Sequence, residues 1–268
     1  MSIREIVVHS LGEFVDVVTP REPDRLTGRR RDTGVYRGAS VATRPLLTTL
    51  DKLGGIDPAH SKVDLEEHIL RNFIRYSRPH LDDARPHNDW ELLIAAQHHG
   101  VPTRLLDWTY SPLVAAFFAT RPMRGWGPDE RDRAVWRLDW QSVHRHFKIP
   151  ALALLIQDLD HLLGEQSLTP WKLFASKGGR AFACMIEPPS LDNRIVAQAA
   201  TFTLCSTTCQ SFEEFLESQG LPDMLTKYVI PAADVPRIRD QLDLVGIDER
   251  RLFPDLDGVA SAIQRYYG

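Results

Sequence analysis

The chain has 268 residues, 43% hydrophobic and 25% charged, with a formal net charge of −4 at pH 7. That apolar share is enough for a buried core, and the mild acidity excludes a domain whose whole surface is a basic nucleic-acid footprint. Length alone fits one large domain or two small ones.

The first residues, Met1 to Glu5, carry no apolar run of the kind a secretory signal needs. Residues 6–18 form a short apolar segment, followed by an arginine-rich loop over 21–33. Val35-Tyr36-Arg37-Gly38 reads as a strand, because valine and tyrosine suit a pleated, half-buried surface and glycine permits a turn. A helix is expected over 45–53, with Pro45 in its first turn and Gly54-Gly55 ending it. Asp64 is the expected N-cap of the next helix, whose Leu65, Ile69, Phe73 and Tyr76 recur at three- and four-residue steps. Asp89 is expected to cap a helix over 90–99, closed by Gly100-Val101-Pro102. A short extended piece over 103–107 precedes Ser111-Pro112, which opens an apolar and therefore buried helix over 113–119.

Downstream, 134–138 reads as a strand and 151–163 as a leucine-rich helix. Strands follow over 181–186 and 225–230, with an extended segment over 194–204 and a short amphipathic helix over 211–218 between them. Helices over 235–245 and 258–267 end the chain. The stretch 121–129, with glycine and proline, is the best boundary candidate, but no repeat or low-complexity linker supports a split. The expected fold is therefore α+β, a single domain with a small mixed or antiparallel sheet flanked by helices. The longest apolar stretches, 113–119 and 151–156, are too short to cross a bilayer.

Cys184, Cys205 and Cys209 are too few and too clustered for a disulfide framework. Cys205 and Cys209 form C-x3-C without the second pair that structural zinc needs. Free buried thiols fit a reducing compartment, so a cytoplasmic protein without a membrane partner is expected. His98 and His99 are neighbours on a helix and point about 100° apart, so they make a poor shared metal site; no metal is expected. A nucleophile elbow, a P-loop and a dinucleotide-binding glycine fingerprint are all absent from the sequence.

Chemistry concentrates in Gln97-His98-His99-Gly100-Val101-Pro102-Thr103-Arg104-Leu105-Leu106-Asp107-Trp108-Thr109. Amide, imidazole, guanidinium and carboxylate groups here lie between two apolar helices, where a charge must be paired or used. Arg104 and Asp107 are spaced to lock a turn as an ion pair. Arg37 is alternatively matched with Asp107.

Val35-Tyr36-Arg37-Gly38-Ala39-Ser40 resembles the aromatic-Arg-Gly motif that names the FRG domain family. The run from Ala96 to Thr109, followed by Ser111 to Ala119, looks like that family's longest motif. The likeness extends to Asn193 through Gln198 with Phe202-Thr203, and to Leu252 through Gly258. It implies an FRG domain over 34–268 with 1–33 as an N-terminal extension packed on it. Ala199-Ala200 depart from the pattern, where glutamine and then a small residue are expected after Gln198.

The order of these segments is in turn similar to that of ADP-ribosyltransferases, by analogy of fold alone. That similarity implies NAD as a substrate, with Arg37, Asp107 and Gln198 as catalytic residues. Arg37 would meet a phosphate or ribose of NAD, Asp107 would stabilise developing charge, and Gln198 would hydrogen-bond a ribose hydroxyl. Tyr36, Gly38, His98, His99, Thr103, Arg104, Trp108 and Thr109 are the implied ligand-binding residues. The partner class is a nucleotide-like small molecule, with a protein or nucleic-acid acceptor, as in a toxin or defence effector. A non-catalytic module that recognises a nucleotide or nucleic acid uses the same residues.

Overall fold

The computed structural model describes residues 2–25, 27–54, 60–80, 86, 88–122, 130–149, 154–155, 181–190, 192–208 and 210–267. Eight strands form one mixed sheet: β1 Arg4–Val7, β2 Val35–Ala39, β3 Leu106–Thr109, β4 Arg133–Leu138, β5 Leu154–Leu155, β6 Ala183–Glu187, β7 Ala200–Cys205 and β8 Leu225–Ile230. Their order across the sheet is β1-β8-β4-β2-β3-β7-β6-β5. The pairs β1–β8 and β5–β6 are parallel, and the other neighbours are antiparallel. The expected α+β single domain is thus observed, on a wider sheet than the sequence suggested.

Ten helices flank the sheet among the described residues: α1 Leu11–Val18, α2 Lys62–Ser77, α3 Asp89–His98, α4 Pro112–Thr120, α5 Trp140–Phe147, α6 Asn193–Ala197, α7 Phe212–Ser218, α8 Val235–Leu244, α9 Glu249–Leu252 and α10 Leu256–Tyr267. Helix α4 is apolar nearly all round, with Ser111 capping the Val114 N–H and Pro112 in the first turn. It packs with α1 and α8 over Tyr36, Val135, Tyr228 and Ile230. On the opposite face Val35, Trp108, Trp136 and Leu138 are covered by α5 and α7. Helix α3 lays Trp90, Leu93, Ile94 and Ala96 onto Cys184, Ile186, Phe202 and Leu204. None of the described helices is long and apolar enough to cross a membrane.

Several local expectations change. The 45–53 segment is a series of turns because its backbone is engaged elsewhere: Leu46 N donates to the Glu213 carboxylate and Leu50 N to Thr103 O. The Lys62 ammonium holds the carbonyls of Leu50 and Leu53 at 2.9 and 2.5 Å. The α2 N-cap is Ser61, with Asp64 completing a capping box three residues later. Helix α3 is likewise capped by Asn88, one residue before Asp89. The buried side chains of α2 are Glu66 and Leu70, one position away from the apolar row named above. The 194–204 segment divides into α6 and β7, with Ala199 at a positive φ of 45° between them. Of the 151–163 helix only Leu154 and Leu155 fall among the described residues, and they form β5.

Candidate functional site

Strands β2 and β3 lie side by side at the centre of the sheet yet share one bridge pair, Tyr36↔Thr109. Beyond that pair the strands part. The Arg37 guanidinium spans the opening, donating through Nη1 to the Asp107 carbonyl at 2.5 Å and to Asp107 Oδ2 at 3.2 Å. Gln97, at the end of α3, donates through Nε2 to the other carboxylate oxygen, Oδ1, at 2.8 Å. Thr103 in turn donates to Gln97 Oε1 at 2.5 Å, which fixes the amide orientation. The Asp107 carboxylate, itself half-exposed, is therefore held from both sides while it faces solvent.

Above this seam lies a cleft of about 400 Å³. Tyr36, Arg37, Gly38, Gln97, His98, Asp107, Trp108, Thr109 and Gln198 line it, together with Ser40, Phe118, Arg121, Arg194, Ile195, Ala200, Phe202 and Phe253. Gly38 is required by packing: a Cβ there would drive into the Ala115 carbonyl and the Ala119 N–H of α4. Tyr36 is buried, and its hydroxyl donates to Asp32 Oδ2 at 2.5 Å. Burial and the adjacent Asp32 push the Tyr36 hydroxyl well above the ordinary tyrosine range.

The other expected residues divide by placement. Trp108 is 2% exposed, with Nε1 donating to Thr203 at 2.9 Å and its ring edge-on to Phe212, so most of it belongs to the core. Thr109 donates to Gln198 O at 2.6 Å and braces the α6–β7 turn. Gln198 follows α6 and so does not sit on a strand; its Nε2 donates to Leu252 O at 3.0 Å, leaving Oε1 as an acceptor. His98 pairs through Nε2 with Asp192 Oδ2 at 3.0 Å. Burial alone would raise the Asp192 carboxyl, but the Arg194 N–H and the neighbouring His98 and Arg194 outweigh it and hold it low. His99 turns away to a neighbouring, more open hollow, beside Phe73.

Arg104 and Thr103 lie behind the cleft. The Arg104–Asp107 pair does not form: Arg104 Nε donates to Glu66 Oε2 at 2.5 Å, and its backbone N–H donates to Oε1 at 2.7 Å. Glu66 is fully buried, and that burial pushes its carboxyl up against the opposing pull of Arg104. Glu66, beside Glu67 and two residues after Asp64 on a polar-looking helix, carried no sequence signal for this pairing. Cys184 and Cys205 are free thiols away from the cleft, and burial pushes Cys184 up to about 12, which makes it a poor nucleophile. Cys209 lies outside the described residues. Among the described residues no three His, Cys, Asp or Glu side chains are grouped to hold a metal ion.

The segment that supplies Arg37, Gly38, Gln97 and Asp107 is also the one that comparison identifies. Residues 32–125 match the FRG domain. The chain carries an FRG domain. No curated protein and no solved structure matches the chain. Within the FRG segment fall the aromatic-Arg-Gly strand, α3, β3 and α4, which are the seam and one wall of the cleft. Arg194, Gln198 and Phe253 complete the other wall from outside it. Sequence reasoning missed Arg121, Arg194, Phe118 and Phe253 as cleft residues. Their proximity depends on how α4, α6 and the α9–α10 turn converge, which no local pattern records.

Proposed function

We propose that the cleft binds NAD and breaks its bond to nicotinamide, transferring ADP-ribose to water or to an acceptor. The observation that carries this reading is the Arg37–Asp107–Gln97 array at the parted seam. It is a half-exposed carboxylate whose position is fixed before any ligand arrives. Cleaving the N-glycosidic bond sends its electron pair to the nicotinamide nitrogen and leaves positive charge on the ribose carbon and ring oxygen. A preoriented carboxylate stabilises that charge without the cost of reorganising at the moment of reaction. Arg37 orients Asp107, and Gln198 offers Oε1 to a ribose hydroxyl. The attacking oxygen of water or acceptor closes the new bond and gives up its proton to solvent. The likeness to ADP-ribosyltransferases in the order of segments supports the reading as analogy alone, and only for the Arg37 strand and the strand leading into α4, since Gln198 precedes β7 instead of lying on it.

One observation favours a second reading, a nucleotide-recognition module without turnover. The Asp107 carboxylate already accepts two hydrogen bonds and Gln198 Nε2 is committed to a backbone carbonyl, an arrangement rich in fixed contacts and poor in free bases. Incubating the purified protein with NAD separates the two. Nicotinamide release that falls at least about tenfold in Arg37→Ala, a loss of roughly 1.4 kcal/mol in transition-state stabilisation, supports the transferase or glycohydrolase. A thermal shift with NAD but no release selects the recognition module. Neither release nor shift removes NAD as the ligand.

A further inference from the structure

Three guanidiniums face the cleft, and they differ in how they are neutralised. Arg37 is bonded to Asp107. Arg194 is paired with Asp255, with Nε donating to Oδ2 at 2.8 Å. Arg121 follows the last turn of α4, half-buried, and among the described residues it meets no carboxylate. Its guanidinium carbon lies 4.8 Å from the centre of the Phe253 ring, and its charge is felt by the buried Arg239. The same ring lies 5.6 Å from the Arg194 guanidinium.

This wall therefore presents two planar cations on one aromatic support: Asp255 and the nearby Asp192 balance Arg194, and among the described residues no carboxylate meets Arg121. The helix C-terminus offsets part of the Arg121 charge, and the ring quadrupole another part. Neither supplies the hydrogen-bond acceptors that five guanidinium N–H groups need. A diphosphate does, because its oxygens match the arginine fork in pairs. Arg37 is less suited to a phosphate, since its Nη1 is bound to Asp107, whose half-exposed carboxylate stands beside it and repels an anion there. We infer that Arg121, Phe253 and Arg194 form a diphosphate subsite for a nucleoside diphosphate or the corresponding part of a dinucleotide, whereas Arg37 is a positioning residue for Asp107. The inference rests on the nucleotide reading of the cleft and assigns its anion end.

Calorimetric titration of the full chain with ADP, adenosine and inorganic pyrophosphate, beside NAD turnover, tests it. Wild type binds ADP at least about tenfold more tightly than adenosine, and pyrophosphate competes with ADP. In Arg121→Gln the preference for ADP disappears while adenosine binds as before, and Arg121→Lys recovers part of it. Arg37→Gln keeps the preference but loses turnover. An Arg121→Gln protein that still prefers ADP as wild type does, or an Arg37→Gln protein that loses the preference, overturns the assignment and leaves the nucleotide reading standing. If wild type takes up neither nucleotides nor adenosine, the nucleotide reading falls as well. Pyrophosphate binding that depends on Arg121 would then preserve the anion wall alone.

Discussion

Asp32 shows how much of the site depends on a residue outside the cleft. Its Oδ2 accepts from the Tyr36 hydroxyl, from Arg137 Nε at 2.8 Å and from Gly34 N at 3.2 Å, while Oδ1 accepts from Arg137 Nη2. It ties β2 to its neighbour β4 just before the strand that delivers Arg37. Burial would raise the Asp32 carboxyl, but the hydrogen bonds from Arg137 and Tyr36 and the Arg137 charge outweigh it and hold it below its ordinary value of 3.8. A carboxylate with a depressed folded-state pKa stabilises the fold fully above its unfolded value, and that contribution is lost as pH falls through the folded value. Asp32→Asn therefore costs about 2 kcal/mol near neutral pH, the usual size for hydrogen bonds to a charged group. In urea unfolding curves the gap from wild type narrows once the pH drops below 3.8. A gap that stays constant into acid would mean that the ionised carboxylate is not what holds Tyr36 and Arg137.

At the scale of elements, the stability of α6 cannot be explained from itself. Five residues make little more than one turn, too short to sustain a helix by propagation. Its support comes from Asp192, whose Oδ1 caps the Arg194 N–H at 2.6 Å while Oδ2 meets His98. Asp192→Ala removes both contacts and costs about 1 kcal/mol from the cap alone. Amide exchange over 193–199 is expected to quicken with that change, whereas Asp192→Asn, which can still cap, holds it near the wild-type rate. Equal exchange in the alanine variant would assign α6 to packing on β7 instead. The same element marks the limit of what the sequence reveals. Ile195, Val196, Phe202 and Leu204 read as one extended run, because apolar spacing over so few residues cannot separate a turn of helix from a strand. The positive φ at Ala199, where the two meet, has no glycine to announce it. By contrast α3, α4 and β2 were legible, since caps, proline and glycine stand at their ends and their apolar positions agree with their period. The 45–53 turns were misread because proline and glycine frame a helix equally well, and contacts with Glu213 and Thr103 decide otherwise. Helix α5, capped by Asp139, was overlooked altogether beside the β4 strand. Within the site, the residues close to Asp107 in sequence were legible as a cluster; Glu66 and Phe253 were not, because their contacts span 38 residues to Arg104 and 132 to Arg121 in the chain.

At the scale of the whole molecule, the FRG segment and the folding unit differ in extent. Residues 32–125 contain β2 and β3, but those strands are joined to each other by one bridge pair. Their full ladders run to β4, over five pairs from Val35↔Leu138 to Ala39↔Ala134, and to β7, over four pairs from Leu106↔Thr203 to Thr109↔Ala200. Both partner strands lie outside the segment. So do Val135, Tyr228, Ile230 and Ile238, which cover the apolar surface of α4, and Phe202 and Leu204, which cover α3. Cut at its ends, the segment would expose two central strands along their edges and two apolar helices to water, a combination that favours association over folding. A fragment of residues 32–125 is accordingly expected to show no cooperative urea transition and to aggregate or remain largely unfolded by circular dichroism. The full chain is expected to unfold in a single cooperative step, because one sheet joins the segment to the strands outside it. Mixing the fragment with residues 126–268 during refolding should recover part of the native signal, since the missing strands are then available for pairing. A fragment that unfolds cooperatively on its own would mean that the single β2–β3 bridge, with α4 behind it, is a sufficient nucleus, and that the later strands are additions to a domain already complete.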